Sequence, residues 1–198
     1  VYKRQIKNGI AKDVANFVFT KIEPFAQYGF NKSHAAAYAL IAFQTAYLKT
    51  YHKEDFIAAT MSTELTNTSK LREFVEELRR LEIEIIRPSI NKSFAEFKAI
   101  DGKIFYGLGA VKNVGFEAIS NIINEREKNG KFKTFFNFIN RVDAKDVNKL
   151  QLEGLVKAGV FDEFDQDRSK ILNSIPKIIQ QIKNINDDKN NHQSNLFE

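Results

Sequence analysis

The sequence predicts a mainly α fold with one small β-hairpin element. Apolar residues recur at three- and four-residue spacings through most of the chain, as they do in helices that bury one face. The exception is "FAEFKAIDGKIFYGL", where apolar and polar residues alternate on both sides of Asp101-Gly102, the strongest short-range hairpin signal. Beyond it the helical segments are joined by short, glycine-marked loops, so neighbouring helices are expected to pack as helical hairpins.

In chain order, "KDVANFVFTKIEPFAQY" sets Val14, Phe17, Val18, Ile22 and Phe25 on one helical face, and Gly29 breaks the pattern. "KSHAAAYALIAFQTAYLKTYH" continues as a long helix opening at Ser33-His34-Ala35. "DFIAATMSTEL" and "SKLREFVEELRRL" are expected as two core helices, the second capped by Thr68 or Ser69. "EIEIIRP" shifts toward the strand period, so that β structure occupies roughly residues 83 to 108. Short helices follow in "GFEAISNIINEREKNG", "TFFNFINRV", "VNKLQLEGLVKAGVF" and "DRSKILNSIPKIIQQIKNI". The final "NINDDKNNHQSNLFE" has the polar composition of a linker.

At 198 residues, 43% hydrophobic and 28% charged, the chain can bury a core as one domain or two small ones. Its net charge of +5 favours an anionic partner without naming one. There is no cysteine, which excludes disulfides and thiolate metal sites. No apolar run reaches membrane length and no leader pattern opens the chain, so the cytoplasm is the default compartment and no membrane partner is expected. The chain begins at Val1 without Met and reads as a fragment.

Two helix starts invite an anion. The helix at Ser33 has no acidic residue in its first turn to offset the macrodipole, and Lys32 stands beside it. It fits either an ordinary Ser cap with an exposed lysine or a phosphate site. His34 alone fits a hydrogen-bonded packing histidine. The second start lies in "GLGAVKNVGFEAISNIINER", which has the form of a helix-hairpin-helix. There a tight turn offers backbone amides and a helix N-terminus to a DNA phosphate and reads no base. The turn is Lys112, Asn113, Val114 and Gly115, with Asn113 where the motif usually carries its first glycine; Asn tolerates left-handed backbone best among the other residues. An ordinary helical hairpin would share these features. A looser second copy surrounds Ala158-Gly159, making the arrangement a tandem. "DEFDQDRS" places Asp165 and Asp167 at D-x-D spacing but lacks the rest of a calcium loop, so it reads as a charged turn and helix cap.

"FAQYGFNKSHAAAYALIAFQTAYLKTYH", "INKSFAEF", "YGLGAVKNVG" and "LVKAGVFDEF" occur in this order. From about residue 6 onward they resemble the bacterial replicative C-family DNA polymerases, the polymerase III alpha subunits. The resemblance implies a DNA-directed DNA polymerase that adds nucleotides from deoxynucleoside triphosphates to a primer-template, within a holoenzyme of further subunits. It implies a fingers segment over residues 6–106, a helix-hairpin-helix DNA-binding region over 107–185, and a flexible linker over 186–198. Asn31, Lys32, Ser33 and His34 match the nucleotide-binding segment, with the Ser-His pair near the sugar. Lys112, Asn113, Val114 and Gly115 match the DNA-binding turn. The metal-binding carboxylates of such an enzyme, and the two Mg²⁺ ions they hold, are expected in a palm preceding this segment, so no catalytic or metal-ligating residue is assigned here. "QSNLF" resembles the peptide that binds the sliding clamp, with Gln193 as polar anchor and Leu196 and Phe197 as apolar ones; the Leu-Phe pair could instead open a following folded element. A reading from another class is a non-enzymatic helix-hairpin-helix module that holds duplex DNA.

Overall fold

The computed structural model describes residues 2–28, 32–143 and 145–190. The chain divides into two compact units, Val1–Tyr51 and His52–Glu198.

The first unit is α1 (Tyr2–Lys7), α2 (Lys12–Tyr28) and α3 (Lys32–Tyr51). α2 carries the apolar stripe of an amphipathic helix, yet Val14, Phe17, Val18 and Ile22 are exposed; Ala15 is buried. α3 buries none of its residues, and Tyr38, Ile41, Phe43, Tyr47 and Tyr51 all face outward. Apolar periodicity reports which face wants cover, not whether this length of chain supplies it.

The second unit has a core in two parts. α4 (Lys53–Thr63) and α5 (Thr68–Arg80) bury Ile57, Ala58, Met61, Leu71 and Leu78 against Ile83, Phe97 and Ile104. Both helices are core as expected, although the cap of α5 is Asn67, whose side chain accepts from the Lys70 amide, and not Thr68 or Ser69. The β element is a three-stranded sheet of β1 (Ile85–Ile86), β2 (Lys98–Ile100) and β3 (Lys103–Phe105), in the order β1-β3-β2. β2 and β3 are antiparallel around Asp101-Gly102, where φ is 50° and 73°. Two successive positive φ values suit a tight hairpin. β1 runs parallel to β3, pairing Ile85 with Ile104 and Ile86 with Phe105.

The larger part of the core is helical. A 3₁₀ turn (Leu108–Ala110) leads into α6 (Phe116–Asn129), α7 (Phe135–Arg141), α8 (Lys149–Lys157) and α9 (Arg168–Asn190). Ile119, Ile122, Leu152, Leu155, Ile175 and Ile182 meet around Phe132, Phe138 and Phe161, whose rings pack at centroid separations of 4.9 to 5.2 Å. Asn148 and Gln151 form a reciprocal capping box at the start of α8. α9 continues to Asn190, into the polar stretch that reads as a linker.

Residues 88–93 are held onto this helical core by polar contacts. Arg126 is buried and donates to the carbonyls of Ile90, at 2.9 Å, and Ser93, at 2.6 Å. Asn91 makes two 2.8 Å bonds with the backbone of Phe132, one in each direction.

Candidate nucleic-acid interface

The turn before α6 is assembled from both sides. Leu108 and Val111 are buried, and the Val114 amide donates to the Val111 carbonyl at 3.1 Å, closing the turn. Asn113 sits at the bend with φ 67°, the left-handed geometry that its place in the motif demands. α8 fits against the inner side, where a Cβ on Gly154 would stand 2.5 Å from the Lys112 carbonyl. Gly154 is therefore the packing residue that sets how closely α8 approaches the turn. An isolated glycine within a helical pattern is the sequence signal for such an approach.

Gly115 is different. It is the N-cap of α6 with φ −76°, a backbone open to any residue, and a Cβ there would meet only the Gln151 Nε2 at 3.5 Å. Neither backbone strain nor internal packing requires glycine at this position. What glycine supplies is an uncovered helix start: among the described residues nothing accepts from the Gly115 and Phe116 amides. Lys112 and Asn113 are exposed beside it, and among the described residues Lys112 has no ion-pair partner. Glu117, in the first turn of α6, is the one acid at this end of the helix.

A cleft of about 600 Å³ adjoins the turn, with Tyr106, Lys112, Asn113, Glu153, Lys157 and Ala158 in its lining. Burial pushes the Tyr106 phenol above its ordinary range, so it is neutral. Glu153 pairs with Lys157 at 3.5 Å and with Lys149 at 3.9 Å.

The second turn, between α8 and α9, is left-handed at Gly159 with φ 80°. Arg168 lies across it, donating through Nε to Asp162 at 2.8 Å and through Nη1 to the Lys157 carbonyl at 3.0 Å. Asp167 accepts from the Lys170 amide at 3.0 Å, and Asp165 accepts from the Asp167 amide at 2.9 Å. The D-x-D pair is thus a turn and helix cap, as its sequence suggests. Among the described residues no group of three or more His, Asp or Glu could hold a metal.

In the first unit, α3 is described from Lys32, so Ser33 lies within the helix and is not its cap. That turn contains no acid. The His34 ring packs on the Tyr38 ring at 4.3 Å. Asn31 lies outside the described residues, as do Gln193, Leu196 and Phe197. Lys32, Ser33 and His34 are brought together by one helical turn, and Lys112 to Gly115 by one hairpin.

The "Helix-hairpin-helix motif" family matches residues 82–171. The chain is 44% identical over 192 residues to the DNA polymerase III subunit alpha of Borreliella burgdorferi, a match covering 97% of this chain and 17% of that protein. It is 41% identical to that of Campylobacter jejuni, covering 96% of this chain and 16% of the relative. With the Thermus aquaticus subunit it shares 42% identity over 174 residues, 88% of this chain and 14% of the relative. The chain therefore spans about a sixth of the length of these relatives. Along nearly all its length it resembles one part of the bacterial DNA polymerase III alpha subunit, with a helix-hairpin-helix motif between residues 82 and 171.

Proposed function

We propose that this chain serves as part of a DNA-directed DNA polymerase, gripping duplex primer-template DNA through Lys112, Asn113, Val114 and Gly115 during elongation from deoxynucleoside triphosphates. The supporting observation is the start of α6, where a glycine that the chain does not need for itself leaves amides uncovered beside an unpaired lysine. Such a terminus suits a phosphate of any sequence. The polymerase reading is favoured over a stand-alone DNA-binding module because similarity extends well beyond residues 82–171, to 97% of the chain.

On this reading residues 6–106 are the end of the fingers, 107–185 the DNA-binding region, and 186–198 a linker. Lys32, Ser33 and His34, with Asn31, face the incoming nucleotide. The Mg²⁺ ions that phosphoryl transfer requires are held elsewhere in the complete polypeptide, which works in the cytoplasm with other holoenzyme subunits. Gln193, Leu196 and Phe197 dock into the sliding clamp. A peptide of residues 189–198 should bind purified clamp at roughly micromolar Kd, and equal binding by the Leu196→Ala, Phe197→Ala peptide would remove that assignment.

The duplex grip is tested by Gly115→Val in the full-length polypeptide. The ordinary φ and open surroundings of Gly115 let the fold persist. Affinity should fall by about 1–2 kcal/mol for every duplex sequence alike, the loss of one or two backbone bonds to phosphate. A loss confined to some sequences, or none in a variant with unchanged melting, rules the grip out.

A further inference from the structure

The two turns of the helix-hairpin-helix tandem are built from similar parts, yet their surroundings differ at each point that matters to a phosphate. We infer that the tandem holds DNA by its first turn alone, and that the second is a structural joint closed by its own charges. This rests on the duplex-binding reading above.

Three contrasts support it. The first concerns the helix starts. α6 opens on Gly115 with no capping side chain, whereas α9 opens on Asp167, which takes the Lys170 amide, preceded by Asp165 on the Asp167 amide. Amides already bonded to carboxylates have nothing left for phosphate, and the carboxylates repel it. The second concerns cations. Lys112 has no ion-pair partner among the described residues, while at the second turn Arg168 pairs with Asp162 and Lys170 with Asp165 at 3.2 Å. Carboxylates beside these cations offset part of their attraction for phosphate.

The third contrast is steric. The outer side of the first turn is open, since only Gln151 stands near Gly115. At the second, a Cβ on Gly159 would meet the Arg168 Nη2 at 2.3 Å, so the guanidinium lies directly on the turn. The loop of residues 88–93 closes it further. The Ile90 amide donates to the Val160 carbonyl at 2.9 Å, and the Ser89 hydroxyl donates to Glu163 at 2.8 Å. A phosphodiester at the second turn would have to displace contacts that tie it to the rest of the fold.

The salt dependence of duplex binding by the full-length polypeptide tests this, read as fluorescence anisotropy of a labelled mixed-sequence duplex across a KCl series. Lys112→Ala should lower the slope of log K against log salt by about one counterion. Lys170→Ala should leave the slope unchanged, with circular dichroism melts confirming that both variants fold. A drop of similar size in Lys170→Ala overturns the inference, because the second turn would then be touching phosphate. If no variant changes the slope, the duplex-binding reading itself fails and the inference falls with it.

Discussion

Glycine and its substitutes have three distinct meanings in this chain. Asn113 was legible in the sequence as a left-handed residue, because the motif needs glycine there and Asn tolerates that backbone best; its φ of 67° bears this out. Gly154 was not singled out, since its role lies in a carbonyl 42 residues earlier in the chain, against which α8 packs. Gly115 has neither constraint, and only the surroundings show that it faces outward. The helix caps were less legible, as Asn67 caps α5 in place of Thr68 or Ser69. A boundary one residue away turns on backbone geometry that composition does not encode. At this scale the nucleotide assignment is testable. Ser33→Ala and His34→Ala in the full-length polypeptide should each shift the ratio of ribo- to deoxynucleotide incorporation, or the rate, by about tenfold, as for one lost hydrogen bond. Unchanged ratios and rates in both would sink the sugar-facing role.

Among the elements, α2 to α9, the strand tendency of "EIEIIRP" and the hairpin at Asp101-Gly102 followed from period and turn chemistry, but the pairing of that third strand needed tertiary contact. Two residues, Ile85 and Ile86, pair in parallel with β3, and a segment that short carries too little alternation to declare its partner. The joint between α8 and α9 was likewise only half visible. Asp165 and Asp167 could be read as caps, whereas the Arg168 bridge depends on where the turn folds back. That bridge predicts a pH response. Hydrogen bonding from Arg168 holds the Asp162 carboxyl below its ordinary value of 3.8. A carboxyl depressed on folding contributes stability that is complete above its unfolded value and is lost as pH falls through the folded one. The pair is more than a third exposed, so its share is below about 1 kcal/mol. Asp162→Asn should therefore lower the melting temperature slightly at pH 7 and lose less than the wild type between pH 5 and pH 2. Parallel melting curves across that range would show that the pair contributes nothing to folding.

At the scale of the whole molecule, the second unit is a self-sufficient body and the first is not. His52–Glu198 encloses both core clusters, while α3 presents apolar and aromatic residues around its circumference, with Phe43 66% and Tyr51 68% exposed. A helix that is apolar on all sides belongs in an interior, and the relatives are some six times longer than this chain. On the proposed polymerase reading, the rest of such a polypeptide is the natural cover for α3. The 198-residue chain on its own should then bind an apolar dye and shift to larger species in sedimentation velocity as concentration rises. Residues 52–198 alone should stay monomeric and bind far less dye, since their apolar side chains are already enclosed. A monomeric, dye-silent 198-residue chain would mean that α2 and α3 find their cover within these residues. The turn proposed to face the nucleotide would then be expected to form within these residues alone.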